Sequence, residues 1–308
     1  MFFEKVILLA HYQSPVEESS SGLPSFAWFL IAILSIYVLI RLIMFFMVWR
    51  KKTATLTKPW GDYCLHQSSA TIDEETGDIT FSHVRDFTWH KDREKEALWL
   101  EDITVNVNEI KDVWYIVDHF FAYKGVAHLM MTFEFNDGRC FTFSFEARRT
   151  VDDSYHPWHG LWRAYEMYLV MGTEKDLVGI RAFKRGNQVH RYRTVTSRRR
   201  EKQFLMSFAR EMHSLHEKPV FYHSLTNSCS TILRKMINDV SPIKIPMIWR
   251  VLLPGHSARM GYKLGLLERW GDYESTRDLA RIDTHLKEWD GKEDFSKFLR
   301  DRLPENAK

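Results

Sequence analysis

The longest apolar run of the chain lies near its N terminus. Residues 26–49 read FAWFLIAILSIYVLIRLIMFFMVW, and Arg41 is the only charged residue among them. Because about 20 apolar residues suffice to cross a bilayer as a helix, this run predicts one transmembrane helix. Trp28 and Trp49 near its ends are typical of membrane interfaces. A cleaved signal peptide is the alternative, but the run begins late and no small-residue cleavage site follows it.

The charges that flank this run predict its orientation. Arg50, Lys51, Lys52 and Lys58 follow it, whereas Lys5 precedes it together with glutamates that outnumber it. By the positive-inside rule, this distribution places the C-terminal part of the chain in the cytoplasm.

Alternation of apolar and polar residues predicts a β-hairpin in the middle of the chain. Apolar residues recur at every second position in 127–135 and in 139–149, and the connection, residues 136–138, reads NDG. A three-residue loop that ends in glycine pairs Phe133 with Phe141 and keeps both apolar sets on one face, whereas a two-residue turn would mix the faces. We therefore expect the three-residue loop.

This register brings an imidazole next to a carboxylate. His128 on the first strand stands opposite Glu146 on the second, and side chains paired in this way have Cβ atoms roughly 4.5–5.5 Å apart. An ordinary cross-strand pair has the same signature. Four other histidines compete for a catalytic role: His119, His156, His159 and His223.

A third pattern puts a cysteine at the start of a helix. Apolar residues recur at helical spacing after Cys229, and Asn227 and Ser228 before it are good N-cap residues. Unpaired backbone N–H groups and the helix dipole at this position stabilise a thiolate, which is the nucleophilic form of cysteine. A cysteine that is only a small buried hydrophobe is the alternative.

These patterns together define a candidate site. Cys229 is the candidate nucleophile, His128 its base, and Glu146 the group that orients the base. The candidate substrate-binding residues are Arg148, Asn227 and Tyr222. Arg148 shares a face with Glu146, where it either keeps that carboxylate ionised, binds a substrate phosphate or carboxylate, or forms a structural salt bridge. Asn227 is a candidate to stabilise an oxyanion with the Cys229 N–H.

Composition limits the classes of function. The net charge of +3 is too small to argue for nucleic acid as a partner. Basic residues cluster between positions 181 and 202, which indicates either a solvated face or contact with an anionic membrane surface. The three cysteines, Cys64, Cys140 and Cys229, have no C-x-x-C spacing, so we expect no metal site and no disulfide framework. No cofactor is predicted.

The pattern along the chain divides it into five parts. We expect a polar tail (1–25), the transmembrane helix (26–49), a juxtamembrane linker (50–59), an α+β domain (60–270) and a polar helical C-terminal segment (271–308).

Motifs spread over residues 60–300 occur in an order that is known from one family. They are residues 77–87 (GDITFSHVRDF), 126–128 (VAH), 133–138 (FEFNDG), 144–148 (SFEAR), 162–166 (WRAYE), 173–177 (TEKDL) with Arg181, 221–223 (FYH), 229–231 (CST) and 249–255 (WRVLLPG). In these motifs the chain resembles the bacterial Lnb N-terminal periplasmic domain family, which is associated with lipoprotein N-acylation. Where the family usually reads Asn-Asn-Cys-Thr, residues 227–230 of this chain read NSCS.

The resemblance implies a fold and a chemistry. It implies a papain-like cysteine domain in the permuted, NlpC-type order, with an antiparallel sheet and a helix that carries the nucleophile, similar to lecithin:retinol acyltransferase-like enzymes. It also implies acyl transfer through a thioester on Cys229, with His128 as base and acyl esters of phospholipid or lipoprotein as substrates. A periplasmic location is implied as well, in conflict with the flanking charges.

Our prediction is a cysteine acyltransferase or acyl hydrolase, anchored by a single helix in the bacterial inner membrane. Its expected partners are membrane lipid and possibly a lipoprotein substrate. Two alternatives remain at this point: a cysteine peptidase or amidase of the cell envelope, and a catalytically inactive binding module tethered to the membrane.

Overall fold

The computed structural model describes residues 23–304, and the chain divides after Lys51 into two compact units. The first unit contains helix α1 (Ser25–Met47), in which no residue is buried. By length and composition this helix is able to cross a membrane, as the sequence predicts. The Arg41 guanidinium carbon lies 4.6 Å from the centroid of the Trp49 ring, so the one charge of the helix stacks on an aromatic ring at its end. Most of the predicted polar tail, 1–25, falls outside the described residues.

The second unit is a mixed α+β domain, as expected. Its described strands are β1 (Ser69–Ile72), β2 (Asp78–Ser82), β3 (Val84–Arg85), β4 (Trp99–Leu100), β5 (Ile103–Asn106), β6 (Ile110–His119), β7 (His128–Phe135), β8 (Cys140–Arg148), β9 (Glu166–Thr173) and β10 (Gln188–Arg193). Its described helices are α2 (Glu174–Leu177), α3 (Arg198–Glu217), α4 (Cys229–Val240), α5 (Trp249–Leu252), α6 (Ser257–Lys263), α7 (Tyr273–Leu279) and α8 (Phe295–Asp301).

The strands form two sheets. Seven strands form the larger sheet in the order β10-β6-β7-β8-β9-β3-β4, and β1, β2 and β5 form a small second sheet. All neighbouring strands of the larger sheet are antiparallel except β3 and β9. The hairpin β7–β8 therefore lies at the centre of the larger sheet.

The register of this hairpin is the predicted one. Phe133 pairs with Phe141 and Met131 pairs with Phe143. In the three-residue loop, Gly138 has a φ of 86°, a conformation that glycine adopts without steric cost, and its N–H donates to the Phe135 carbonyl over 2.9 Å. The apolar side chains of both strands consequently lie on one face of the sheet.

Both faces of the sheet are covered. On the apolar face, Phe133 and Phe143 pack against Phe208 of α3, and α4 lies on the same side. On the other face, Met130 and Val170 pack with Leu286 and Phe298 from the C-terminal part of the chain. The predicted C-terminal segment, described as far as residue 304, thus contributes a second layer over the sheet.

Candidate active site

Helix α4 begins at Cys229, where the sequence predicts a helix start. Ser228 is its N-cap, and the Ser228 N–H donates to the Thr231 hydroxyl over 2.8 Å. The first backbone bond of the helix runs from the Ile232 N–H to the Ser228 carbonyl. Cys229 therefore lies in the first helical turn, whose backbone N–H groups have no intrahelical partners.

One cleft brings the three predicted catalytic residues together. Cys229, His128 and Glu146 all line it, and its volume is about 350 Å³. The His128 Nε2 atom lies 3.3 Å from Oε1 of Glu146, so the cross-strand pair deduced from the register is present. His128 lies beside Cys229 in this cleft, close enough for its positive charge to lower the pKa of the thiol.

Ser144, which the sequence did not single out, bridges His128 and Glu146. Its hydroxyl donates to Oε1 of Glu146 over 2.7 Å and lies 2.7 Å from Nε2 of His128. Because the single hydroxyl proton is directed at the carboxylate, the serine oxygen accepts from His128, and Nε2 must carry a proton. Nδ1 is then the ring nitrogen that is left for the Cys229 thiol, as a general base requires.

The charges of the site favour a thiolate–imidazolium pair. Burial by itself would raise the pKa of the Cys229 thiol, but the adjacent His128 cation and its hydrogen bond bring that pKa below the ordinary value. Burial opposes the charge of His128 too, and the carboxylate of Glu146 overcomes it and raises the pKa of His128 to about 10. His128 and Arg181 together hold the pKa of Glu146 well below its ordinary value, despite burial.

Arg181 contacts the same carboxylate oxygen of Glu146 as Ser144 and His128 do. Its Nη2 donates to Glu146 Oε1, its Nη1 donates to the Leu177 carbonyl over 2.6 Å, and its Nε lies 3.3 Å from Oδ2 of Asp118. Asp118 is paired with His128 across strands β6 and β7. Arg181 sits on one turn of π-helix, Ile180–Lys184, a geometry that often occurs at functional sites. Arg181 belongs to one of the family motifs, but its contact with Glu146 was not predicted from the sequence.

The predicted substrate-binding residues do not all lie at this site. Tyr222 lines the cleft, with its hydroxyl 3.4 Å from that of Tyr155. Asn227 instead donates through Nδ2 to the Phe221 carbonyl over 2.8 Å and is not among the residues that line the cleft. Its amide braces the loop before Cys229 in this structure.

Arg148 is a second correction. Its guanidinium is buried, and it donates to the carbonyls of Cys64 (2.9 Å) and Leu65 (2.8 Å) while it stacks 4.4 Å from the ring centroid of Trp60. The segment around residues 60–65 crosses the end of β8 at this point and draws the side chain away from the cleft. Arg148 therefore secures that segment, and Arg181 is the arginine that contacts Glu146.

The four other candidate histidines lie outside the cleft that contains Cys229. None of His119, His156, His159 and His223 lines the cleft with Cys229. Among residues 23–304, no group of three or more His, Cys, Asp and Glu side chains is arranged to hold a metal ion.

Fold and site together define the second unit as an α+β domain with a cysteine–histidine–glutamate cluster in an open cleft. The model of the Lnb N-terminal periplasmic domain family matches residues 95–255, a stretch that includes His128, Glu146 and Cys229. Because this stretch is more than half of the 308 residues, the chain belongs to that family. No curated protein and no solved structure matches the chain. Membership of a periplasmic domain family and the single N-terminal apolar helix are consistent with a single-pass membrane protein.

Proposed function

We propose that this protein is a membrane-anchored cysteine acyltransferase or acyl hydrolase that takes the acyl group of a lipid ester as a thioester on Cys229. One observation carries the proposal: Cys229 lies in one cleft with His128, and the Nε2 atom of that imidazole is engaged by Ser144 and Glu146. This is the nucleophile, base and orienting group of covalent acyl-transfer catalysis. Histidine on a strand and, later in the chain, cysteine at a helix start also fit the permuted papain-like fold that the resemblance implies.

The first half-reaction forms the thioester. The Cys229 thiolate attacks the carbonyl carbon of the ester, and the carbonyl oxygen becomes an oxyanion. Backbone N–H groups of the first turn of α4 are in position to stabilise that charge. When the intermediate collapses, the C–O bond of the ester breaks, and the His128 imidazolium gives its proton to the departing alcohol.

The second half-reaction releases the acyl group. An amine, an alcohol or water gives a proton to the now neutral His128 and attacks the thioester carbonyl. The C–S bond then breaks and the Cys229 thiolate reforms beside the imidazolium. Glu146 stabilises the imidazolium in both half-reactions, while Arg181 and Ser144 keep the carboxylate in place.

The proposed location is the periplasmic face of the inner membrane, with membrane lipid as donor and a lipoprotein as acceptor. The family and the apolar helix support it, although the basic residues that follow the helix favour the cytoplasmic side. An anchor at the bilayer would keep the cleft where lipid esters are concentrated.

Intact-protein mass spectrometry tests this proposal. Wild type, Cys229→Ala and the matched variant Cys140→Ala are incubated with phospholipid vesicles or a diacylated lipopeptide. We expect a fatty-acyl mass increase that hydroxylamine removes on wild type and Cys140→Ala, and none on Cys229→Ala. An increase that persists in Cys229→Ala contradicts the proposed nucleophile. No adduct and no lyso-lipid, together with an inert Cys229, would instead favour the inactive binding module.

A further inference from the structure

Two arginines on the wall of the cleft form no salt bridge within the part of the chain that the structure describes. Arg149 follows β8 directly, and Arg185 ends the π-helical turn that carries Arg181. Both line the cleft together with Cys229 and His128. In the described part of the chain, neither guanidinium has an ion-pair partner, whereas Arg85 is paired with Asp176 and Arg181 with Asp118 and Glu146.

The two arginines lie close enough to affect each other. Burial lowers the pKa of Arg185, and the positive charges of Arg181 and Arg149 lower it further, whereas Glu146 and Asp118 act in the opposite direction. The guanidinium carbon of Arg149 lies 5.0 Å from the ring centroid of Tyr63, which also lines the cleft. Arg149, Arg185 and Tyr63 thus offer two guanidinium forks and a phenol to the same space.

The sum of charges makes this space attractive to an anion. Arg85 is balanced by Asp176, and the imidazolium of His128 is balanced by the thiolate of Cys229. Asp118 and Glu146 carry two negative charges and Arg181 carries one positive charge, which leaves one negative charge. Arg149 and Arg185 add two positive charges, so one positive charge remains in the cleft. An unpaired cation in a partly desolvated cleft gains much from an anionic ligand.

We propose that Arg149 and Arg185 bind the phosphate of a glycerophospholipid whose acyl ester reacts with Cys229. A phosphodiester carries one negative charge, and its free oxygens fit the parallel N–H donors of a guanidinium. The diacylglyceryl group of a lipopeptide carries the same esters without a phosphate. The pair therefore selects phospholipid as acyl donor, an inference that rests on the proposed function.

The test measures binding without chemistry. In the Cys229→Ala background, calorimetry compares dihexanoyl phosphatidylglycerol, dihexanoylglycerol and inorganic phosphate. The variants are Arg149→Gln/Arg185→Gln and, as control, Arg199→Gln, an exposed arginine on α3 away from the cleft. We expect the double variant to weaken binding of the phospholipid at least about tenfold and to leave that of dihexanoylglycerol unchanged, since only a phosphate contacts both arginines.

Three results would overturn this assignment. They are unchanged phospholipid binding in the double variant, an equal loss for dihexanoylglycerol, and binding of inorganic phosphate but not of the lipid. The proposed function is tested separately, by the thioester on an otherwise wild-type chain. If the arginines control phospholipid binding but no thioester forms, the proposed chemistry fails and the phosphate subsite stands. If the thioester forms equally fast in the double variant, the phosphate subsite fails and the proposed chemistry stands.

Discussion

At each end of strand β8 a buried cysteine lies near a carboxylate, yet the two ends differ in what surrounds the thiol. Near the C-terminal end, Glu146 pairs with His128, which lies beside Cys229 in the cleft. At its start, Cys140 pairs across the sheet with Glu134, and its sulfur donates to the Gly138 carbonyl over 3.4 Å. Burial, followed by the negative charge of Glu174, raises the pKa of Cys140.

The difference lies in where the positive charges are. At the Cys140 end, Arg300 donates to Glu134 (2.7 Å) and to Glu174 (2.6 Å). Its guanidinium therefore neutralises these two carboxylates and does not pair with the Cys140 thiol. At the Cys229 end, an imidazolium lies between carboxylate and sulfur. The pKa of the thiol is therefore lowered at the Cys229 end, where a titratable cation lies beside it, and raised at the Cys140 end.

Removal of that cation has the largest expected effect. In His128→Gln, the Cys229 thiol loses both its base and its counter-ion, and burial then raises its pKa. We expect acylation of Cys229 at neutral pH to slow by about 10²–10⁴-fold, the usual contribution of a general base. Stopped-time intact-mass measurements give the rate, with His213→Gln, an exposed position on α3, as control. A His128→Gln rate equal to wild type would refute the role of His128.

The corresponding change at the other end should affect stability and spare chemistry. Arg300→Gln removes one guanidinium from Glu134 and Glu174, which keep Lys111 and Arg191, so we expect a loss of about 1.5–3 kcal/mol in the free energy of unfolding, the usual value for hydrogen bonds to charged groups. Urea denaturation measures that loss, and the acylation rate of the folded protein should equal that of wild type. Slower acylation by the folded variant would show that the two ends are coupled, and would break the comparison.

Neutralisation of Glu146 should have a smaller effect. Glu146→Gln removes the counter-charge of the imidazolium, so the pKa of His128 falls and Cys229 has a cation beside it in a smaller fraction of molecules. We expect acylation at neutral pH to slow by roughly 10²-fold, the lower end of what a positioned acid–base group contributes, and to recover in part at higher pH. The rate is measured across the pH range beside Glu75→Gln, a change at an exposed turn. A uniform loss at every pH would indicate a structural role instead.

Local pattern was enough to predict much of the site. The alternation of Phe133, Phe141 and their neighbours determined the hairpin register, because only one register buries all of them on one face. That register brought His128 to Glu146. The cap residue Ser228 likewise located the start of α4, and with it Cys229.

Contacts between distant parts of the chain were not predictable in this way. Arg148 alternates to the same side of β8 as Glu146, but its guanidinium donates to two carbonyls of the segment at residues 60–65. No sequence pattern predicted where that segment lies. Arg181 and Arg191, read as part of a basic surface, are buried, and each lies beside a carboxylate. Ser144 looked like one more small polar residue, since its role requires both partners to be known.

The pH dependence of cysteine alkylation tests the central claim most directly. Folded wild type is treated with iodoacetamide over a range of pH, and peptide mass spectrometry follows Cys229, Cys140 and Cys64 separately. Each profile is scaled to its own maximum, so that differences in access do not matter. Because the pKa of Cys229 is lowered and those of the other two are raised, the Cys229 profile should reach its plateau first, below the pH range in which Cys140 and Cys64 begin to react. A Cys229 profile that coincides with theirs would contradict a His128-stabilised thiolate.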